Sequence, residues 1–574
     1  MDRRDVDERD AAPAFPTAAL RVDSTGSNSW RLPLVAVVVL AGVMRIAWLD
    51  SVPPAINQDE AIHAWEARCL LKLGCDHSGA RWPIFCHAYG VRESHASPFI
   101  YLLIPFQWLM GMNVWSTRLP GALGGVLAVP LAYLLVRLWY GIIPALFSSL
   151  LLAISPWHIH LTRLAFEVSV CPTLFLAALV LFSWGVRRTA ESKQSRLLLP
   201  GFLASGFAIG LVLWTYNAYR VFIPIFIVAT MAVYARAVIG QARTARGRWC
   251  MVAFVAGFVI GVAPFVIACI TTPERAWGHA QAEFVLNRER TVIAAIRTGA
   301  ASYLHQLSPE FLFGIGEPSP IQSVPGRGKL YWICAPLLVA GLIRVFRRWS
   351  IEPVGRLLLI WIVLAPVPAG LTKLTDGHSL RSATVLPALQ ILAALGAHWI
   401  FEMAGKWSFI LKRVTQVSIG IILAASTLQF ARVFFHYYPI ACARFFSSEF
   451  RPVVQDVMHR ADDYDLVLLS PQDCGQIGTL FLFWSKTEPS EYFSAPLNIW
   501  EGPKWDALLQ MGKFVFAPSS DLSDLVAQMP KELTRVHVLI AEKPGLPVDG
   551  TVLQRYFHPS GDVAMVLYDV WVTR

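Results

Sequence analysis

The 574-residue chain is 55% hydrophobic and only 15% charged, with a mean hydropathy of +0.49. Soluble domains carry roughly 25% charged residues, so these values exclude a soluble globular protein and describe one that crosses a membrane repeatedly. The formal net charge of +10 is not a nucleic-acid footprint, because the Lys and Arg residues fall in short clusters between apolar runs and not in one stripe.

Residues 1–30 are polar and charged, without an apolar core or a small-residue cleavage pattern, and read as a disordered cytoplasmic tail, not a signal peptide. The first span, Leu32 to Trp48, acts as a signal anchor. A hydrocarbon core of roughly 30 Å needs about 20 apolar residues as helix. On that yardstick further spans fall near 119–138, 141–157, 169–186, 198–215, 221–236, 250–270, 330–346, 356–371, 383–402 and 416–434, about eleven in all. Arg3, Arg4 and Arg9 then share one side with Arg187 and Arg188, with Arg243 and Arg248, with Arg344, Arg347 and Arg348, and with Lys406 and Lys412. By the positive-inside rule that side is cytoplasmic. Pro98 to Met112 is apolar but short for a crossing, and is expected at the outer interface as a juxtamembrane or re-entrant helix.

This topology puts the first loop, residues 51–97, on the outer face with His158 to Glu167, Tyr216 to Arg220, Thr271 to Lys329 and Leu371 to Arg381. From His436 onward, apolar strands at Leu466 to Leu469, Phe514 to Ala517, Val536 to Ile540 and Val563 to Tyr568 alternate with helical stretches, as in a small α/β domain. The expected fold is mainly α: a polytopic membrane helical bundle with juxtamembrane helices and a small extracytoplasmic α/β domain. Its parts are a tail (1–30), a membrane domain (31–435) and the C-terminal domain (436–574). Cys69, Cys75 and Cys86 share the first loop, and Cys442 and Cys474 the C-terminal region; an oxidising compartment would allow one disulfide in each, with the pairing open.

The first loop holds Asp59, Glu60, Glu66, Asp76 and Glu93 with His63, His77, His87 and His95, the densest titratable cluster of the membrane part. Polar loops are common, and any one of these residues can be ordinary loop surface. The adjacent Asp59-Glu60 pair directly after a spanning helix is the exception, placed to take a proton at the membrane face. Arg163, Arg220, Lys373 and Arg381 are outer-face cations able to hold a phosphate, or else snorkel toward lipid head groups. Glu93 and His95 lie close together, but a Glu-Ser-His spacing is not diagnostic of a metal, so a divalent cation is left unassigned. Tyr219 could flank a sugar ring or belong to an interfacial aromatic girdle.

The Asp-Glu pair after the first span, Arg118-Leu119-Pro120 before a small-residue helix, Ser155-Pro156-Trp157-His158 through Arg163 to Glu167, and Asp376-Gly377-His378-Ser379-Leu380-Arg381 with Pro387 following resemble the GT-C glycosyltransferases. Within that superfamily the chain looks closest to the family 39-like group of protein O-mannosyltransferases and lipid A aminoarabinose transferases. The resemblance implies transfer of one sugar from a polyprenyl-phosphate donor to an acceptor on the outer face, usually with inversion, in a bacterial inner membrane. It makes Asp59 catalytic, with Glu60 as its partner and Glu167 as a second acidic group where relatives often have Asp. His63, Glu93, His95, Arg163, Tyr219, Arg220, Lys373, His378 and Arg381 become substrate-binding candidates.

Two other readings use the same features. A transporter or flippase of lipid-linked sugars would carry ionisable residues near the middle of its spans, whereas here they gather at helix ends. A ligase or polymerase of the O-antigen type would put its long outer loop late in the chain.

Overall fold

The computed structural model describes residues 30–87, 94–191, 198–372, 378–470, 476–501, 506–529, 534–545 and 548–573. The helical part runs α1 (Arg31–Ile46), α2 (Gln58–Leu73), a hairpin of β1 (Phe85–His87) and β2 (Ser94–Ala96), α3 (Ser97–Met110), α4 (Val114–Tyr140), α5 (Ile142–Ala153) and α6 (Pro156–Thr162). It continues with α7 (Cys171–Glu191), α8 (Leu199–Thr215), α9 (Asn217–Val233), α10 (Ala235–Ala242) and α11 (Ala245–Thr271). The long outer connection holds α12 (Pro273–Glu283), α13 (Val285–Arg288), α14 (Val292–His305) and α15 (Pro309–Phe313). After it come α16 (Cys334–Arg347), α17 (Pro353–Leu364), α18 (Val367–Gly370), α19 (Ala388–Trp407) and α20 (Phe409–Arg432).

Among the described residues, six helices are long and apolar enough to cross a membrane, or eight if each of two bent pairs counts as one. The expected count of eleven is not reached. Three of the expected spans fall on helices short of the roughly 20 residues of a crossing, α1, α8 and α16 at 16, 17 and 14 residues, and two more are bent: the chain turns by 57° between α5 and α6, where Ser155-Pro156 interrupts the ladder, and by 79° between α9 and α10. The 14-residue α3 is too short to span.

Small residues let helices meet. Gly206 and Gly210 of α8 face Gly257 and Gly261 of α11, each pair four apart. A Cβ on Gly206 would lie 1.9 Å from the Phe254 carbonyl oxygen and one on Gly257 2.0 Å from that of Leu203, the close approach that small-xxx-small spacing provides between helices in lipid.

The helical run beginning at Phe409 continues to Phe446 and leads through α21 (Tyr438–Cys442) and α22 (Phe450–Arg460) into the C-terminal domain. There β3 (Leu466–Leu469), α23 (Ile477–Trp484), α24 (Pro489–Ser494), β4 (Leu497–Glu501), β5 (Asp506–Met511), β6 (Phe514–Val515), α25 (Leu522–Ala527), β7 (Arg535–Glu542), β8 (Thr551–Phe557) and β9 (Val563–Thr573) build a seven-stranded sheet of order β4-β5-β6-β3-β7-β9-β8. Its centre is parallel, with β3 between β6 and β7, and its flanks are antiparallel. The four strands expected from sequence are β3, β6, β7 and β9.

This domain packs on α2. Ile56, Ala61, Ala64 and Trp65 share one core with Val453, Val457, Phe481 and Tyr492, the Trp65 and Tyr492 rings meet edge to face at 5.5 Å, and Arg68 pairs with Glu488. The helix that starts at the Asp-Glu pair is therefore clamped between bundle and sheet. Cys69, Cys75, Cys86 and Cys442 are separate thiols, so the first-loop disulfide does not form; Cys474 lies outside the described residues.

Candidate active site

The site grows from the first turn of α2. Asn57 caps the helix, accepting from the Glu60 N–H at 2.9 Å while Glu60 accepts from the Asn57 N–H at 3.2 Å, a capping box. Asp59 and Glu60 sit in the first turn of α2, where the helix dipole favours negative charge.

The two acids diverge from there. Glu60 is fully buried and held by Arg118, whose Nε and Nη2 donate to it at 2.8 and 2.7 Å. Arg118 Nη1 donates to the carbonyls of Leu49 and Pro53 at 3.2 and 2.7 Å. Asp59, one residue earlier, is only half-buried and lies within electrostatic reach of His63. Of the expected catalytic pair, Asp59 is the partly exposed member near His63, and Glu60 is buried in its ion pair with Arg118.

Glu60 and His63, three apart, lie on one helix face, and both grip Ala165. The Ala165 N–H donates to Glu60 at 2.9 Å and its carbonyl accepts from His63 Nδ1 at 2.7 Å. That docking brings Glu167, just beyond, against the two histidines. His63 Nε2 lies 3.1 Å from His95 Nδ1 and 3.4 Å from Glu167 Oε1, and His95 Nδ1 lies 2.9 Å from the same oxygen. Burial pulls the His63 imidazole toward its neutral form, but the Glu167 carboxylate outweighs it and raises the pKa above the usual 6.5.

The ligand atoms of His63, His95 and Glu167 all lie within 4.8 Å of one another. The donor set fits a divalent transition ion: the Ala165 carbonyl fixes His63 Nδ1 as the protonated nitrogen and leaves Nε2 for a ligand, the arrangement metal-binding histidines use, and two imidazoles with a carboxylate suit zinc-like ions. Glu93, expected beside His95, lies outside the described residues. The other titratable groups of the loop hold its shape: Glu66 pairs with His77, and Asp76 accepts from the N–H groups of Ser78, Ala80 and His87.

A second polar cluster comes from the long connection and the segment before α19. Glu317 accepts from the Ser379 N–H at 2.9 Å and Oγ at 2.6 Å, and Lys329 Nζ stands 3.8 Å from Glu317 Oε2. Both are at least 95% buried. Burial lowers the Lys329 ammonium to about 8 and pushes the Glu317 carboxyl up. His378 is buried, its N–H donating to Gln306 at 3.3 Å. Half-buried Arg381 reaches Glu283 at 3.4 Å, and its Nη1 has no hydrogen-bond partner among the described residues. Tyr216 lies within electrostatic reach of Glu167, Glu317 and Arg381 and so joins the two clusters.

Two expected binders turn inward. Arg163 is fully buried, its three nitrogens donating to the carbonyls of Met44, Trp48 and Val52 at the end of α1. It closes a helix C-terminus and is not placed to hold a phosphate. Tyr219 is fully buried among Phe175 and Phe222, its hydroxyl without a partner among the described residues, and belongs to the aromatic core. Arg220 is half-buried, between the rings of Phe85 and Phe265 at 5.1 and 5.0 Å, and within reach of Glu167. Lys373 lies outside the described residues. The sequence reading missed Glu317 and Lys329, which no motif marks, and missed the partner of Arg118.

No protein-family model and no curated protein matches the sequence. Solved structures do match in fold. ArnT from Cupriavidus metallidurans in the apo state aligns with a TM-score of 0.57 at 15% identity, over 94% of this chain and 98% of that one. The same protein bound to undecaprenyl phosphate aligns with a TM-score of 0.55 at 14% identity over the same shares. The oligosaccharyltransferase of Archaeoglobus fulgidus aligns more loosely, with a TM-score of 0.48 at 15% identity over 94% of this chain and 74% of that one.

Proposed function

We propose that this integral membrane protein, which has the fold of the GT-C membrane glycosyltransferases, moves one sugar from a polyprenyl-phosphate donor to an acceptor hydroxyl on the extracytoplasmic face of a bacterial inner membrane. The observation that carries the reading is the half-buried carboxylate of Asp59 at the N-terminus of α2, beside the His63–His95–Glu167 cluster. A match at this identity conveys fold alone, so the chemistry rests on these residues.

Asp59 is the base. As the acceptor oxygen attacks the anomeric carbon, Asp59 takes the hydroxyl proton, the new carbon–oxygen bond forms, and the bond to the donor phosphate breaks with its electron pair on the leaving oxygen. Attack opposite the leaving group inverts the anomeric centre. Glu60, locked to Arg118 and Ala165, positions Asp59 through the first turn of α2. The leaving polyprenyl phosphate gains charge, which Arg381 and Lys329 would offset, with Arg220 within electrostatic reach of Glu167. His63, His95 and Glu167 would hold a divalent cation, which when bound would supply further positive charge at the leaving phosphate. Ionisable groups that gather at helix ends, and not along the middle of the spans, argue against a transport path through the bundle.

The test is Asp59→Asn in the purified full-length enzyme, assayed against a panel of polyprenyl-phosphate sugars with mass spectrometry of the acceptor. Turnover is expected to fall about 10²–10⁴-fold, the usual worth of a positioned base, with thermal stability unchanged. Near-normal turnover in that variant removes the assignment.

A further inference from the structure

At the end of the bundle remote from Asp59 lies a second feature that sugar transfer does not use. Helix α16 leaves the neighbourhood of Lys329 and Tyr331, and α19 leaves the segment of Ser379; by their lengths of 14 and 20 residues they carry the chain about 21 and 30 Å away. The two are locked together on the way: a Cβ on Gly341 would lie 2.2 Å from the Leu392 carbonyl oxygen, and one on Gly396 1.8 Å from that of Leu337. Where they end, with the start of α20, they enclose an open cavity of about 830 Å³.

Five cations line it, Arg344, Arg347, Arg348, Lys406 and Lys412, against one carboxylate, Glu402. Glu352 binds Arg344 at 3.0 Å and Arg348 at 3.0 Å, and Glu402 faces His398 at 3.7 Å. Arg347, Lys406 and Lys412 make no ion pair among the described residues. Arg344 has a side chain only 8% exposed, and its Nε has no hydrogen-bond partner among the described residues. This much like charge around one concavity repels itself unless an anion enters.

The rim says which kind of anion. The Arg347 guanidinium lies over the Trp399 ring at 5.6 Å, and Phe409, Ile410 and Ile351 stand 68–73% exposed beside the opening, next to the apolar outer faces of α16 and α20. A ligand here meets cations at its head and hydrocarbon at its flank. Basic pockets between membrane helices have this form when they take phospholipid head groups.

We propose that this cavity binds the phosphodiester head group of an anionic phospholipid, with Arg347, Lys406 and Lys412 as the charge-bearing contacts. The site is separate from the donor site and does not depend on the sugar-transfer reading.

The experiment titrates the purified full-length protein with phosphatidylglycerol, phosphatidylcholine or inorganic phosphate, scoring bound ligand by native mass spectrometry. Phosphatidylglycerol is expected to bind at least tenfold more tightly than phosphatidylcholine. Removing a cation weakens it about fivefold, so Arg347→Gln, Lys406→Gln and Lys412→Gln together weaken it about a hundredfold. Arg243→Gln with Arg248→Gln, exposed cations elsewhere, leaves it unchanged. Lys412→Gln alone supplies the fivefold reading should the triple variant not fold. Equal binding of the two lipids overturns the proposal, as does retention of phosphatidylglycerol by the triple variant. Displacement of the lipid by inorganic phosphate at the lipid's own midpoint also overturns it, by marking a site for soluble anions.

Discussion

Two buried carboxylate–cation pairs flank the candidate site, and they are built differently. Glu60 and Arg118 meet at 2.7 and 2.8 Å, and each has further hydrogen bonds: Glu60 from Ala165 and Asn57, Arg118 to two carbonyls. Glu317 and Lys329 stand 3.8 Å apart, the ammonium reaching, among the described residues, only the Gln322 carbonyl at 3.4 Å and lying over Phe311 at 5.3 Å. Burial pushes both members of the second pair toward their neutral forms. A saturated pair fixes backbone and has nothing left to offer a ligand, whereas a loose pair keeps a cation whose charge an incoming phosphate would stabilise. The first pair reads as scaffold and the second as binding machinery.

Breaking the saturated pair gives the largest effect. Arg118→Leu leaves Glu60 buried without its partner, for which about 3–5 kcal/mol of destabilisation is expected, measured as a fall in thermal midpoint of the purified protein. Leu in place of Arg118 together with Glu60→Gln should recover part of the loss, because the uncompensated charge is then gone. An unchanged midpoint in the single variant would mean that the pair does not hold the loop.

Between the pairs, the histidine cluster sharpens the contrast by testing for an ion directly. Adding Zn²⁺ to the chelator-treated protein should stabilise it by about 2.7 kcal/mol at a hundred times the dissociation constant, and His95→Ala should remove that gain. The effect should weaken as pH falls, because protons held on His63 by Glu167 compete with the ion. No metal-dependent shift at any pH would leave His63, His95 and Glu167 as a hydrogen-bonded cluster only.

How much of this was legible beforehand follows from what a linear pattern can carry. The polytopic bundle, the Asp-Glu start of α2, the passage ending in Glu167 and the sheet's buried strands were visible because hydropathy and local motifs are short-range properties. Arg118 and Arg163 were equally visible as residues, but whether a guanidinium turns to water or to carbonyls 65 to 119 positions away leaves no local trace. β4, β5 and β8 escaped notice because they pair through irregular registers with bulges, which blur the two-residue alternation. The count of spans differed because a hydropathy window does not show where a helix ends: α1, α8 and α16 stop at 16, 17 and 14 residues.

The loose pair gives a pH prediction of intermediate size. The Lys329 ammonium is lowered from 10.5 to about 8 in the folded protein. Below pH 8 it is charged in folded and unfolded chains alike and the fold carries the burial cost. Between about 8 and 10.5 the unfolded chain binds more protons, so stability rises with pH across that window by about 1.4 kcal/mol per unit. Sugar transfer, needing the charge, should fall about tenfold per unit above pH 8 over the same range. Lys329→Arg should keep transfer at alkaline pH; a profile identical to the parent's would separate Lys329 from the leaving phosphate.

The smallest effect tests the aromatic core behind the site. Tyr219 packs between Phe175 and Phe222 with its hydroxyl buried and without a partner among the described residues. An unmet hydroxyl has a desolvation cost that removal relieves, so Tyr219→Phe should change the thermal midpoint by the equivalent of no more than about 1 kcal/mol, in the stabilising direction. Transfer should keep both its KM and its kcat. A rise in KM alone would mean that the hydroxyl reaches substrate after all and that the core opens on binding; a fall in stability would mean that it has a partner in the folded state.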